Sequence, residues 1–190
     1  MYEADPDPYC YRGTDILKNK AGLTSPEALE EFETAMTFAR SEEPLPAGRL
    51  SVTHYKNIHH HLFQDVYSWA GSYRTVRVSK GQTVFCYPEN ISAEMTRLFA
   101  QLKNDNYLRN HAQQDFSLAA AHFLAELNAI HPFREGNGRT QLTFLAVLAE
   151  SAAHPINLNR LDPDETLSAM IESFNGNECP LATLIEGLAR

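Results

Sequence analysis

Apolar residues recur every three to four positions over most of the chain, which is the spacing of an amphipathic α-helix. Several helix starts carry a capping side chain followed by proline, as at Ser25-Pro26 and Asp162-Pro163. The helix that Asp115 is expected to cap has the most apolar face and is expected to be central. The pattern predicts about six to eight helices, near 25–40, 53–66, 88–103, 115–130 and 139–152 and from 162 and 179 onward.

One segment is β-like instead of helical. Residues 73–78 and 83–87 are rich in Thr, Val, Tyr and Phe and flank a turn that contains Gly81, which predicts a β-hairpin. Residues 1–23 are rich in Pro and Tyr and are expected to form an N-terminal strap. The 190 residues are therefore expected to form one all-α domain over 1–190, with a single hairpin over 72–87.

Composition and charge narrow the classes of function. The chain carries 16 basic and 24 acidic residues, a net charge of −8, which disfavours general binding to nucleic acids. Its three cysteines lie far apart, so no zinc or redox pair is expected and a reducing compartment fits best. No apolar run is long enough to span a membrane, and we expect a cytoplasmic protein without a nucleic-acid or membrane partner.

The segment 131–140, between two strongly apolar helices, concentrates the residues suited to phosphate chemistry. His131 can accept a proton near neutral pH, and Glu135 offers the hard carboxylate that Mg²⁺ prefers. Gly136 and Gly138 let backbone N–H groups approach an anion at the start of the next helix, where Arg139 can contact a phosphate. The alternative, a Gly-rich connection with a structural histidine, stays open on these residues alone.

The spacing in this segment resembles the signature of the Fic family, His-x-Phe-x-Asp/Glu-Gly-Asn-Gly-Arg-x-x-Arg. The chain agrees with it at seven positions from His131 to Arg139, and Asp65–Gly71 followed by Tyr73 and Arg74 is similar to the family's entry to its flap. The resemblance implies an all-α Fic fold and transfer of AMP from Mg·ATP to a Ser, Thr or Tyr hydroxyl of a target protein. It also implies that the hairpin is a flap that aligns the target by strand-like pairing.

Roles follow from the resemblance by position. His131 is the expected general base, Glu135 the expected Mg²⁺ ligand, and Phe133 is expected to anchor the loop in the core. The expected ATP contacts are Arg134, Gly136, Asn137, Gly138, Arg139, Thr140, Lys80, Gly81 and Asn177. The expected target-docking residues of the flap are Arg74, Thr75, Val76, Arg77, Thr83, Val84 and Phe85.

The chain departs from the signature at one position, where the final arginine is replaced by Leu142. Leu142 also suits the apolar face of its own helix. A nucleotide-binding or interaction module with impaired catalysis is therefore one alternative, and transfer of another phosphate-linked group by the same fold is a second. Gly138 favours the nucleotidyl reaction, since a phosphotransferase relative has Lys there.

Two further patterns concern regulation and metal binding. The family's inhibitory sequence, Ser/Thr-x-x-x-Glu-Gly/Asn, does not occur in this chain, which suggests a separate antitoxin-like protein partner. Toxin and secreted effector both stay open as roles, and the host cytosol is the alternative location. His54 and the run His59-His60-His61 are expected to lie on a solvated helix face, since consecutive helical residues point about 100° apart and cannot converge on one metal.

Overall fold

The structure is a computed structural model that describes residues 7–81 and 83–189. Helices dominate this part of the chain. One antiparallel hairpin pairs β1 (Ser79–Lys80) with β2 (Thr83–Val84). Within these residues the seven α-helices are α1 (Pro26–Ser41), α2 (Val52–Phe63), α3 (Pro88–Asn104), α4 (Gln113–Ile130), α5 (Asn137–Ser151), α6 (Pro163–Phe174) and α7 (Cys179–Gly187). The all-α fold with one hairpin is confirmed.

The helices begin where capping side chains satisfy the first free N–H groups. Ser25 Oγ accepts the Ala28 N–H at the start of α1, and Asp162 Oδ1 accepts the Asp164 and Glu165 N–H groups at 2.9 Å at the start of α6. The predicted cap at Asp115 is wrong, because α4 begins two residues earlier and places that carboxylate in its first turn. An acidic side chain there still favours the helix, through its interaction with the positive end of the helix dipole.

The core forms around α4, which packs against α3, α5, α6 and α7. Tyr55 of α2 stacks on Phe133 with ring centroids 5.5 Å apart and meets Phe144 of α5 edge-on at 5.5 Å. Phe133 is completely buried, so the loop that carries it is anchored in the core as expected. None of the helices in the described residues is both long and apolar enough to cross a membrane.

The histidines of α2 do not all face solvent. His59 is 0% exposed and His54 is 4% exposed, while His60 lies on the surface. The predicted solvated face is therefore wrong for two of the four histidines. Tyr55, His59 and Phe63 recur at four-residue spacing and share the buried stripe of α2. Burial is tolerated because both ring nitrogens of His54 have backbone partners, the Leu50 N–H and the Pro46 carbonyl.

The hairpin is shorter than predicted. Its ladder joins Ser79 to Val84 and Lys80 to Thr83, and residues 73–78 form no ladder with 83–87. Beyond the ladder the two limbs are joined by the Phe85 N–H, which donates to the Val78 carbonyl at 3.3 Å, and by the Arg74 guanidinium, which donates to the carbonyls of Val76 at 2.7 Å and Cys86 at 2.5 Å.

Arg74 also links these limbs to the C-terminal end of α4 by hydrogen bonds. Its guanidinium donates to the His131 carbonyl at 2.8 Å and to the Ile130 carbonyl at 3.3 Å. The side chain is only 2% exposed, so the prediction that Arg74 contacts a target is wrong. Phe85 is corrected in the same way, since its side chain is 7% exposed and faces the protein interior.

The N-terminal strap contacts the segment that leads into the hairpin and the loop that precedes α5. Residues 1–6 of the predicted strap lie outside the described residues. Asp7 forms an ion pair with Arg134 at 2.8 Å, and Tyr9 packs edge-on against Trp69 with ring centroids 5.5 Å apart. The Tyr9 hydroxyl accepts the Thr75 N–H at 3.2 Å. The strap therefore contacts both segments in which functional residues were predicted.

Removing the Arg74 guanidinium should loosen the hairpin. We expect Arg74→Ala to lower the free energy of unfolding by more than about 2 kcal/mol, because a buried carbonyl left without its donor costs about 1–3 kcal/mol. Arg77→Ala is the control, since Arg77 is exposed and its guanidinium only covers the Tyr87 ring. Chemical denaturation measures both variants, and equal stabilities would contradict this role of Arg74.

Candidate active site

The loop between α4 and α5 has a backbone that few residues could adopt. His131 ends α4 in the left-handed conformation with φ +48°, and Pro132 follows it. Gly136 caps α5 with φ +80°, and a Cβ atom there would lie 2.2 Å from the Phe63 ring. Glycine is therefore required at 136 both by the backbone conformation and by the close approach of α2.

A neighbouring ring covers one face of the His131 imidazole, and one of its nitrogens is open to a ligand. The Phe85 ring stacks on it with centroids 3.9 Å apart and planes 17° apart. Nδ1 is buried and makes no hydrogen bond with the described residues. Nε2 is therefore the ring nitrogen that a substrate can reach.

The surroundings of His131 favour its neutral form. Burial lowers the pKa of the imidazole to about 4, and the positive charges of Arg74 and Lys80 act in the same direction. The nearby Asn128 carbonyl opposes them only in part. At neutral pH the ring is neutral, and the nitrogen that carries no hydrogen can accept a proton from a bound hydroxyl.

The Glu135 carboxylate is oriented by its own neighbour. Oε1 accepts the Gly136 N–H at 2.8 Å, and Oε2 makes no hydrogen bond to the described residues. In this part of the chain no group of three or more His, Cys, Asp or Glu side chains is arranged to hold a metal ion. One free carboxylate oxygen fits a Mg²⁺ ion that takes most of its ligands from phosphates and water.

The N-terminus of α5 offers an open anion site next to Glu135. The N–H groups of Asn137, Gly138 and Arg139 have no acceptor among the described residues. A Cβ atom at Gly138 would meet nothing within 4 Å. Aligned free N–H groups at the positive end of a 15-residue helix attract phosphate oxygens.

Two predicted phosphate contacts use their side chains to close the loop. Asn137 Oδ1 accepts the Phe133 N–H at 2.9 Å and Nδ2 donates to the Phe133 carbonyl at 2.8 Å. Thr140 is completely buried, and its hydroxyl donates to the Gly136 carbonyl at 2.9 Å. These two side chains are therefore engaged within the protein, and the backbone N–H of Asn137 remains free for the predicted phosphate contact.

The signature loop, residues 131–140 including the first turn of α5, contains two arginines, and both are paired within the protein. Arg134 donates to Asp7 of the strap and not toward the N-terminus of α5. Arg139 donates to Glu33 of α1 and to the Thr37 hydroxyl at 3.1 Å, and its guanidinium lies over the Phe63 ring. The Arg139 side chain is still 41% exposed and can reach a ligand, whereas Arg134 would have to leave Asp7.

The remaining predicted residues lie outside the loop between α4 and α5. Lys80 and Gly81 are exposed at the hairpin tip, and Lys80 is near enough to lower the pKa of His131. Asn177 lies between α6 and α7, where Nδ2 donates to Glu172 at 2.7 Å. Leu142 is half-buried and lies outside the buried core, so it does not have the core role that its helix pattern suggested.

The flap residues also divide by exposure. Val84 is 58% exposed, and Thr75 and Arg77 lie on the surface, whereas Thr83 and Val76 are half-buried. The exposed members, together with the short ladder at the tip, form the surface that a target segment could meet.

Sequence reasoning missed His59, which reaches the site from α2. Its Nε2 lies 3.0 Å from the Glu135 carbonyl oxygen, and its Nδ1 accepts the Gly71 N–H at 2.8 Å. Burial lowers the pKa of this imidazole to about 4. The available signal was the four-residue spacing of Tyr55, His59 and Phe63, which places the histidine on the apolar stripe of α2.

Comparison with known families and sequences agrees with this arrangement. The model of the Fic/DOC family matches residues 49–149. A probable protein adenylyltransferase of Sinorhizobium fredii, y4lH, is 49% identical over 185 residues, which are 97% of this chain and 96% of the relative. The protein adenylyltransferase VbhT of Bartonella schoenbuchensis is 37% identical over 97% of this chain, which spans 39% of VbhT.

Solved structures show the same fold. The effector protein BepC of Bartonella tribocorum, determined with bound AMPPNP, matches with a TM-score of 0.86 at 27% identity over 96% of both chains. A Fic domain of Bartonella quintana with bound ADP matches with a TM-score of 0.87 at 28% identity, covering 96% of this chain and 94% of that domain.

The two glycines that flank Asn137 should respond differently to alanine. Gly136→Ala is expected to lower the melting temperature, because it places a Cβ at a positive φ and against the Phe63 ring. Gly138→Ala is expected to leave the melting temperature unchanged but to weaken ATP binding, because its Cβ occupies only the open space that a phosphate would fill. Thermal unfolding and calorimetric titration with ATP test both, and unchanged ATP affinity of Gly138→Ala would contradict the placement of the phosphates.

Proposed function

Because the chain belongs to the Fic/DOC family, we propose that it transfers AMP from ATP to a hydroxyl side chain of a target protein. The observation that carries this proposal is the unprotonated His131 imidazole, open at Nε2, in the loop that leads to the free N–H groups of α5. A base and an anion site in one loop are what attack of a hydroxyl on a phosphate requires. Relatives named as protein adenylyltransferases support the same reaction.

ATP is expected to bind with its phosphates at the N-terminus of α5. The free N–H groups of residues 137–139 contact the phosphate oxygens, and the absence of a side chain at Gly138 lets them approach closely. Arg139 adds a positive charge at the same helix end. Lys80 and Gly81 at the hairpin tip, and Asn177 beyond α6, remain further candidate contacts to the nucleotide.

His131 performs the proton transfer in this proposal. Its Nε2 accepts the proton of the target hydroxyl while the hydroxyl oxygen forms a bond to the α-phosphorus of ATP. The bond from that phosphorus to the bridging oxygen breaks, and pyrophosphate leaves with the electron pair. The Phe85 ring, stacked on the imidazole, keeps Nε2 directed toward the open side.

Glu135 is the residue that would hold Mg²⁺, through its free Oε2. A bound magnesium ion supplies charge neutralisation on the phosphates of the nucleotide. The chain's own contribution is to keep this carboxylate beside the α5 N-terminus, with Oε1 already occupied by the Gly136 N–H.

The target is expected to meet the exposed edge of the hairpin. The ladder between β1 and β2 uses the inner backbone groups, and an extended target segment can pair with outer groups by β-augmentation. The exposed Val84 offers an apolar contact for a target side chain. Arg74 and Phe85 support this surface from inside, without contacting the target.

A separate antitoxin-like protein remains our proposal for regulation. It rests on the sequence alone, which lacks the family's Ser/Thr-x-x-x-Glu-Gly/Asn inhibitory pattern.

An impaired module is the second candidate, and Leu142 is the observation that favours it. A leucine replaces the last signature arginine and cannot donate to a phosphate. Nucleotide binding without transfer is the outcome that this candidate predicts.

Loss of His131 should stop transfer and spare nucleotide binding. We expect His131→Ala to reduce transfer of α-labelled phosphate from ATP to protein by about 10²–10⁴-fold, the usual contribution of a positioned base. The assay uses the enzyme with a bacterial lysate as a source of targets, and ATP affinity is measured separately by calorimetry.

Two controls sharpen this test. Label from γ-labelled ATP on protein is expected to be no greater with the enzyme than in the lysate alone, and an increase would indicate a kinase. The wild-type kcat/KM is expected to stay level from pH 8 to about 6, because His131 gains its inhibiting proton only as the pH falls toward its pKa of about 4. A level of labelling by His131→Ala equal to that of the wild type would remove His131 from its role.

Restoring arginine at 142 should tighten ATP binding. Position 142 is half-buried and outside the core, so Leu142→Arg is expected to leave the melting temperature unchanged. A charge-assisted hydrogen bond of about 1.5–3 kcal/mol corresponds to a gain of roughly ten- to a hundredfold in ATP affinity. Unchanged ATP affinity together with a lower melting temperature would show that Leu142 has a packing role instead.

A further inference from the structure

His59 has a completely buried imidazole, and both of its nitrogens are in use. The Gly71 N–H can only donate, so Nδ1, 2.8 Å away, is the unprotonated nitrogen. Nε2 then carries the proton and donates it to the Glu135 carbonyl at 3.0 Å. The Gly71 backbone thus determines the tautomer that bonds to the signature loop.

Aromatic neighbours prevent this ring from turning. The Phe133 ring stacks on His59 with centroids 3.7 Å apart, and the Phe63 ring stacks at 4.8 Å. Trp69 covers the ring further out, at 6.1 Å. The direction of the Nε2–H bond is therefore fixed by packing as well as by the bond to Gly71.

Glu135 is consequently held at two points. Its main-chain carbonyl accepts from His59, and its carboxylate Oε1 accepts from the Gly136 N–H. These two bonds fix the peptide and the side chain and leave Oε2 as the free oxygen. A metal-binding carboxylate needs this kind of support, because an unsupported side chain loses rotational freedom on binding.

We propose that His59 is a positioning residue for the magnesium-binding carboxylate of Glu135, acting through its hydrogen bond to the Glu135 carbonyl. The inference rests on the magnesium role of Glu135 in the proposed function. It assigns to α2, distant in sequence from the signature loop, a part in metal-dependent nucleotide binding. His59 does not touch ATP or the reacting hydroxyl.

Two amide substitutions separate the two hydrogen bonds of His59. The Asn side chain places a polar atom near the position of Nδ1, so His59→Asn keeps an acceptor for Gly71 and loses the donor to Glu135. The longer Gln side chain reaches the position of Nε2, so His59→Gln keeps the donor to Glu135. Each variant loses one bond, and both are expected to melt below the wild type.

The measurement is the affinity for ATP in calorimetric titrations at increasing MgCl₂ concentration. We expect His59→Asn to raise the magnesium concentration for half-maximal ATP affinity about tenfold, in line with the effect of losing a supporting partner of a metal ligand. His59→Gln is expected to stay within about twofold of the wild type. His60→Asn, on the exposed side of α2, is the matched control and should equal the wild type.

If His59→Asn does not fold, His59→Phe replaces it, since a phenyl ring keeps the stack on Phe133 and lacks the donor. The proposal would be overturned if the donor-lacking variant, His59→Gln and the wild type all showed the same magnesium dependence. His59 would then be a packing residue. An equal shift in both His59 variants would overturn it too. The proposal would also be contradicted if the wild type bound ATP independently of magnesium.

The proposed function fails separately. If the wild type binds ATP in a magnesium-dependent manner but transfers no α-label to protein, AMP transfer is refuted. The positioning role of His59 is then still decided by the calorimetric comparison.

Discussion

The loop between α4 and α5 is buried against the core, and its backbone polar groups must therefore find partners inside the protein. The structure meets this constraint with the remote side chains of His59 and Arg74, with two side chains from the first turn of α5, and with one backbone N–H. The resulting bonds are Arg74 to the His131 carbonyl, the Arg74 N–H to the Pro132 carbonyl, Asn137 to both backbone groups of Phe133, His59 to the Glu135 carbonyl and Thr140 to the Gly136 carbonyl. The shape of the loop depends on these six hydrogen bonds.

The reactive groups are the ones that this network leaves free. His131 keeps Nε2 open while Phe85 covers one face of its ring, and Glu135 keeps Oε2 after Oε1 is bonded to Gly136. The N–H groups at the start of α5 have no acceptor in the described residues. Because neighbouring polar groups are already satisfied, the proposed base, the proposed magnesium-binding carboxylate and the free N–H groups of α5 have set positions before a ligand binds.

The same burial that anchors the loop also adjusts its electrostatics. Removing His131 from solvent disfavours its charged form, and Arg74, whose guanidinium bonds to the carbonyl of the same residue, adds a repelling positive charge. A residue that is needed to hold the backbone thus also keeps the proposed base unprotonated. The net charge of −8 belongs to the whole chain; near this loop Arg139, paired with Glu33, and Lys80 at the hairpin tip carry positive charge.

Local sequence determined the helices, the hairpin tip and the seven positions of the signature, because periodicity, caps and contiguous motifs act over a few residues. The Arg74 side chain holds the backbone instead of facing a target, the Asn137 and Thr140 side chains bond to the loop that precedes α5, and His59 was missed. In each case the outcome depends on which backbone carbonyl or N–H lies within about 3 Å of the side chain. Packing brings His59 of α2 beside Glu135, 76 positions later in the chain, and brings Asp7 to Arg134, 127 positions later. A local sequence pattern spans only a few residues and does not show which residues far apart in the chain come together. Only the tertiary structure therefore decides which polar side chains can bind a ligand and which hold the protein together.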